Sequence, residues 1–126
     1  MKLYFFMTVF CLTFAAGCSQ QSKENQLAEG PLKGRLDAAL AITDPSSKNV
    51  ALKTIALDAA AANNSEVVKA ALVKISEPSL KNATAASCAL KLAAQGETKE
   101  ATATAAIITD PSQRNDILSK IAKGTN

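Results

Sequence analysis

The sequence predicts an all-α protein built as a solenoid of helix-turn-helix repeats of 33 residues. One phrase occurs three times at that spacing, as ITDPSSKN from Ile42, ISEPSLKN from Ile75 and ITDPSQRN from Ile108. Internal repetition with a period of about 20 to 50 residues is typical of stacked arrays. Between the phrases, apolar residues recur at helical spacing and no segment alternates with period two, so we expect helices and no sheet.

Each repeated phrase contains the signals that begin a helix. An acid occupies the N-cap position, where its side chain can accept a backbone hydrogen bond, and a proline follows at the first helical position, where its missing N–H is not needed. The acids are Asp44, Glu77 and Asp110, and the prolines are Pro45, Pro78 and Pro111. The sequence therefore predicts that a long helix begins at each of these prolines.

One face of each long helix is apolar. In the first of them this face consists of Leu52, Ile55, Ala56 and Ala59, which recur at helical spacing. The column of a residue is the set of positions 33 residues apart that includes it. The same columns hold Ala85, Cys88, Ala89 and Leu92 in the second repeat, and Leu118, Ile121 and Ala122 in the third. We expect these residues to be buried, with Cys88 acting as a small hydrophobic side chain rather than as a nucleophile.

The ends of the long helices carry a second periodic signal. Gly30, Asn63 and Gly96 also lie 33 residues apart, and glycine and asparagine tolerate the left-handed conformation that often ends a helix. Counting from Pro78 to Gly96, each long helix should have about 18 residues.

Shorter second helices follow these turns. The segments SEVVKAALVKI and ETKEATATAAII predict amphipathic helices of about 10 residues. Their matching apolar positions are Ala71, Leu72 and Ile75, then Thr104, Ala105 and Ile108. The 33-residue register also extends toward the N-terminus. There, the run 36–42 aligns with the short second helices, and residues 24–29 align with the end of a long helix, which predicts an abbreviated first helix.

A two-helix unit of this length resembles the tetratricopeptide-like solenoids, and the resemblance covers Gly30 to the C-terminus. It implies a short right-handed α-solenoid. Such solenoids present extended surfaces to other proteins. We therefore expect a protein-protein interaction adaptor.

The N-terminus predicts export. Lys2 precedes a run of 12 apolar or hydroxyl-bearing residues, 3–14, which is too short to span a bilayer as a helix. Small residues 15–17 and Cys18 then resemble the lipobox of bacterial lipoproteins, which implies lipidation of Cys18. The alternative is an ordinary secretory cleavage site. The predicted organisation is a signal peptide over 1–17, a lipidated N-terminus and short tether over 18–23, and a helical repeat domain over 24–126.

The lipobox implies a membrane-anchored protein outside the cytoplasm. Ser19 follows the cysteine and resembles the sorting signal for the outer membrane, so the periplasmic side of that membrane is expected in a Gram-negative cell. In another bacterium, the expected place is the outer face of the cytoplasmic membrane. We expect an envelope protein as the partner.

Composition argues against several other functions. The chain has no histidine, and its five aromatic residues all lie within the predicted signal peptide. Without Lys2, the chain has 13 basic and 11 acidic residues, interspersed along the sequence. Nucleic-acid binding usually requires a basic stripe and stacking platforms. We therefore expect no nucleic-acid partner, no catalysis, and no metal or cofactor.

Two polar columns accompany the repeat. Lys48, Lys81 and Arg114 each follow a capping acid by four residues, which favours a surface ion pair, although a basic row that binds acidic ligands is an alternative. The asparagines are Asn49, Asn82 and Asn115. They could bridge neighbouring helix ends or bind a ligand, and bridging is the favoured interpretation.

A candidate partner-binding face lies opposite the apolar stripe. At 100° per residue, the positions on that side are Val50, Thr54, Leu57, Ala83, Ser87 and Leu90. The leucines could instead belong to the core between repeats. A second functional hypothesis is a structural spacer lipoprotein that self-associates through heptads. The prolines and turns interrupt any continuous coiled-coil seam, which favours the adaptor.

Overall fold

The computed structural model describes residues 30–124, and this part of the chain contains six α-helices and no strand. The helices are α1 (Pro31–Leu40), α2 (Pro45–Ala61), α3 (Ser65–Lys74), α4 (Pro78–Ala94), α5 (Thr98–Ala105) and α6 (Pro111–Lys123). The prediction of an all-α fold is confirmed. The predicted signal peptide, Cys18, the tether and the segment 24–29 lie outside the described residues.

The long helices begin at the predicted prolines because the preceding acid is the N-cap. The Asp44 carboxylate accepts a hydrogen bond from the Ser47 N–H at 2.7 Å, and Asp110 accepts one from the Gln113 N–H at 2.9 Å. Glu77 is also an N-cap but makes no such bond. Its longer side chain instead accepts a hydrogen bond from the Ser79 hydroxyl at 2.9 Å.

The long helices α2 and α4 end as the residue types predict. Asn63 and Gly96 have φ values of 56° and 85°, in the left-handed region. The next N–H groups donate to carbonyls five residues back, from Asn64 to Ala59 at 2.8 Å and from Glu97 to Leu92 at 3.0 Å. These are Schellman turns, which satisfy carbonyl groups at the helix end.

Gly30 does not follow this pattern. Its φ is −75° and its ψ is 165°, so it is the extended N-cap of α1 rather than a left-handed turn residue. The physical reason is Pro31, which begins α1 immediately and disfavours a helical conformation at the residue before it. The expectation of a third left-handed turn at Gly30 was wrong.

The core lies where successive helices face one another. Each helix contacts only helices that are one or two places away along the described chain. The largest fully buried apolar side chains are Leu52, Leu72, Ile75, Leu92, Ile108 and Val68. Alanine and Cys88 fill most of the remaining interior, so small side chains let the helices pack closely.

The predicted apolar stripe is buried on α2 and α4, and the predicted stripe residues of the shorter helices are buried as well. On α6 the prediction was partly wrong. Ile121 is buried, but Leu118 is half-buried and Ala122 is exposed, whereas Ile117 is buried. No described helix follows α6 to cover its outer side, and this exposes Ala122. None of the helices within residues 30–124 is long and apolar enough to span a membrane.

Candidate partner-binding surface

The candidate face is formed by corresponding positions on α2 and α4, two long helices that pack against each other. We call this surface the α2–α4 face and define it by Val50, Thr54, Leu57, Ala83, Ser87 and Leu90. The 33-residue register places Leu57 and Leu90 at equivalent positions of the two helices. The structure therefore brings the sequence-predicted residues onto neighbouring helices.

The α2–α4 face is partly apolar and partly open to solvent. Val50 is 60% exposed, which is unusual for a large apolar side chain in this molecule. Leu57 and Leu90 are half-buried and pack against the core. The leucines thus contribute to the core on one side and present apolar surface on the other.

The hydroxyl groups on this face are already bonded to the backbone. The Thr54 hydroxyl donates to the Val50 carbonyl at 3.1 Å, and the Ser87 hydroxyl donates to the Ala83 carbonyl at 3.0 Å. Each donor is therefore occupied within its own helix. Recognition at this face would depend mainly on apolar contact.

Charged side chains limit the apolar surface. Asp58, next to Leu57, is paired with Arg35 at 2.8 Å, and the equivalent position on α4 is Lys91. On α6, the positions equivalent to Val50, Thr54 and Leu57 are occupied by Asp116, Lys120 and Lys123. Asp116 and Lys120 form an ion pair at 2.7 Å. The apolar surface thus belongs to α2 and α4 and does not continue onto α6.

The two polar columns have different outcomes. Lys48, Lys81 and Arg114 form no ion pair with the capping acids among the described residues, so the predicted pairing was wrong. Two of those carboxylates bond to the helix N-terminus instead, and Glu77 bonds to Ser79.

Two of the three asparagines, Asn49 and Asn82, bridge helix ends as predicted, whereas the Asn115 side chain makes no hydrogen bond within residues 30–124. The Asn49 Oδ1 atom accepts hydrogen bonds from the Ser76 N–H at 3.0 Å and the Ser76 hydroxyl at 3.2 Å. Asn82 accepts the same pair from Thr109, at 3.0 and 3.2 Å. Each bond joins the start of a long helix to the turn 27 residues later. We call this arrangement the asparagine clamp.

Other hydrogen bonds and ion pairs between helices far apart in the sequence were not predicted. The Gln95 amide donates to the Ala60 carbonyl at 2.8 Å, and the Asn63 amide donates to Glu97 at 2.9 Å. Lys69 pairs with Glu100 at 2.6 Å. Hydrogen bonds from Lys69 and then Ser65 hold the pKa of Glu100 below its usual range. No short sequence signal identifies these pairs, because their partners lie more than 30 residues apart.

Cys88 is fully buried on α4, as predicted. Burial raises the pKa of its thiol to about 11, although the Lys91 charge acts in the opposite direction. A nucleophilic cysteine needs a lowered pKa and solvent access. Cys88 has neither, and its role is to fill the core. Residues 30–124 contain no cluster of histidine, cysteine, aspartate or glutamate that could hold a metal ion.

The thiol of Cys88 should react slowly in the folded protein. In a variant with Cys11 and Cys18 replaced by serine, we expect a bulky alkylating reagent at pH 8 to modify Cys88 at least about 100-fold more slowly than in denaturant. The raised pKa reduces the reactive thiolate, and burial blocks its approach. Mass spectrometry over time measures the rate, and equal rates in both conditions would show that Cys88 is accessible.

A groove of about 370 Å³ lies beside this face, between α1 and α2. Its walls are mostly apolar and include Ala38, Ala39, Ile42, Ala51 and Ile55. Arg35 and Thr54 also line it. The groove is thus a second apolar surface, distinct from the leucines of the α2–α4 face.

Comparison with known proteins gives no relative from which a function could be inferred. No protein-family model, curated protein or solved structure matches the chain. The function must therefore be inferred from the contacts and exposures of the residues themselves.

Proposed function

We propose that the protein is a lipid-anchored envelope lipoprotein that acts as a helical-repeat adaptor and binds another envelope protein. The observation that carries this proposal is the α2–α4 face, on which Val50 is exposed and Leu57 and Leu90 are half-buried. Contiguous exposed apolar groups on a soluble surface mark places where partners bind. The partner should present apolar side chains to Val50 and the two leucines, and the exposed Lys53, one helical turn from both Val50 and Leu57, adds a positive charge to the face.

The proposal includes a short right-handed solenoid of 33-residue, tetratricopeptide-like units. The pairs α2–α3 and α4–α5 support it, since both consist of a 17-residue helix, a Schellman turn and a shorter helix. The asparagine clamp recurs with the same atoms in both. In such an array, each unit contacts only its neighbours and the long helices form one extended surface.

The proposed anchor is Cys18, which would hold the domain near a membrane outside the cytoplasm. The tether from 18 to 23 has six residues, so at about 3.5 Å per residue it reaches no more than about 21 Å. The partner would then be a membrane protein of the same envelope layer or a protein close to that surface.

Lipidation is tested directly by mass spectrometry of the protein from its native host. We expect a mature chain that begins at Cys18 and carries the added mass of a diacylglyceryl group and of a further acyl chain. Cys18→Ser should leave the chain unprocessed or release it from the membrane fraction. An unmodified mature chain whose distribution is the same in both forms would contradict the proposed anchor.

The binding face is tested by changing both half-buried leucines, Leu57→Ser with Leu90→Ser. We expect capture of the partner by crosslinking in the native host to fall by at least tenfold. The free energy of unfolding should fall by only about 1 kcal/mol per leucine, because each side chain is only partly buried.

The matched control is Leu32→Ser with Leu40→Ser, which changes two half-buried leucines on α1, away from the face. It should lower stability by a similar amount and leave capture unchanged. Equal loss of capture in both double variants would assign the effect to stability. A loss of more than about 2 kcal/mol for each leucine on the face would place them in the core and contradict the binding proposal.

A further inference from the structure

The first and last described helices are complementary halves of one repeat unit. Helix α6 begins with the aspartate and proline of a long first helix, but no described short helix follows it. Helix α1 has the length and register of a short second helix, but no described long helix precedes it. The N-terminal end of the described part therefore has a short helix without a described long partner, and the C-terminal end has a long helix without a described short partner.

The groove beside α1 is the place that a long helix fills in the other units. The 33-residue shift relates Ala38, Ala39 and Ile42 to Ala71, Leu72 and Ile75. Those three equivalents are fully buried in the second unit, where α3 packs against α2. In the first unit, the same positions line an open groove, in which Ala38 is exposed and Ile42 is half-buried, whereas Ala39 is already buried.

Helix α6 carries the apolar stripe that fits this place. Its Leu118, Ile121 and Ala122 occupy the columns of Leu52, Ile55 and Ala56, which cover α3 in the second unit. Leu118 is half-buried and Ala122 is exposed, so apolar surface remains on the outer side of α6. The apolar stripe of α6 is therefore only partly buried within the described part of the chain.

The asparagine clamp provides a second, polar indication that α6 fits beside α1, because each end of the described part has one unpaired clamp residue. Asn115 is the third member of the column but is exposed, and its side chain makes no hydrogen bond within residues 30–124. The repeat register assigns it the turn residue Thr43, because Thr43 is equivalent to Ser76 and Thr109. Thr43 is exposed, and neither its N–H nor its hydroxyl has a partner in the described part of the structure.

We propose that α6 of one copy docks in the α1–α2 groove of a second copy and completes a repeat unit across the interface. The stripe of α6 would cover Ala38 and Ile42, and the Asn115 Oδ1 atom would accept hydrogen bonds from the Thr43 N–H and hydroxyl of the second copy. The two surfaces of this interface are different, so each copy keeps one free end. Head-to-tail chains follow, because a heterologous contact that does not close continues.

The chain's own residues before Gly30 fit the groove less well. The same register would place Ser19, Ser22, Lys23 and Gln26 at the four stripe columns that hold apolar residues in α2 and α4. Burying these polar groups without partners is unfavourable. The stripe of α6 supplies apolar side chains, Leu118, Ile121 and Ala122, at the first three of these columns, which favours a second copy as the occupant.

The pairing is tested by disulfide crosslinking of the full chain purified in detergent. We expect Thr43→Cys mixed with Asn115→Cys to give a crosslinked dimer that neither variant gives alone, and the double variant to give a ladder of larger species. Wild-type protein, treated identically, measures the background from its native cysteines. A dimer formed equally by one variant alone, or no crosslink in the mixture at concentrations of about 100 μM, would overturn the proposal.

A second measurement uses surface charge without changing the core. Ala122→Glu, on the docking side of α6, should reduce the fraction of oligomer at least tenfold in analytical ultracentrifugation while leaving the melting temperature of the monomer unchanged. The matched control is Ala103→Glu, an exposed alanine on α5, which should leave the oligomer intact.

Ala38→Glu, on the groove side, should have the same effect as Ala122→Glu. If the wild-type chain is monomeric at every concentration and Ala38→Glu destabilises that monomer, the groove is covered by the chain's own residues and the proposal is wrong. This outcome would leave the adaptor function standing, because partner capture by the α2–α4 face is measured separately.

Discussion

Replacing Leu92 by alanine is expected to lower the free energy of unfolding by about 3 kcal/mol. Leu92 is fully buried on α4, in a core in which ten of the 22 buried apolar residues are alanine. The small neighbours are held by close helix contacts and cannot easily fill the cavity. Chemical denaturation followed by circular dichroism measures the change.

The control for this substitution is Val73→Ala on α3. Val73 is 62% exposed, and its truncation should change the free energy of unfolding by less than about 0.5 kcal/mol. An equally small change for Leu92→Ala would show that the core is loosely packed at α4.

Replacing Asn82 by alanine should lower the free energy of unfolding by about 2 kcal/mol. The substitution removes the acceptor for two hydrogen bonds and leaves the Thr109 N–H and hydroxyl without their partner in a partly buried place. The effect should also loosen the junction between α5 and α6, since the clamp fixes the turn that joins them. Denaturation measures the first effect, and amide hydrogen exchange at Thr109 measures the second.

The repeat itself supplies the matched control, because Asn115 occupies the same column without a bonded partner among residues 30–124. Asn115→Ala should change the free energy of unfolding by less than about 0.5 kcal/mol at low protein concentration. Equal effects at the two positions would mean that helix propensity, rather than the clamp, determines the outcome.

The starts of the long helices could be predicted from sequence because their causes are local. The acid, the proline and the following apolar spacing act within one turn, and α2, α4 and α6 begin at the predicted residues. The left-handed turns at Asn63 and Gly96 are local in the same way. Gly30 aligns with Asn63 and Gly96 but is not a left-handed turn residue, because Pro31 follows it and begins the next helix at once.

The outer surfaces and the ion pairs could not be predicted in the same way. Ala122 matches the buried column but is exposed, because burial depends on a following helix rather than on the residue type. Lys48 and Asp44 have the spacing of an ion pair, yet the carboxylate is more favourably placed at the helix N-terminus. The candidate face depends on how two helices separated by a full repeat lie together, so the sequence could suggest its residues but not their exposure.

The neighbour-only contacts of the six helices also affect how the molecule opens. Because no described helix contacts another that is more than two places away, an end helix can detach without breaking contacts at the opposite end. Fluctuations should then spread inward from α1 and α6, with α4 opening last. Such fraying would briefly uncover stripe residues at the ends and leave the central helices closed.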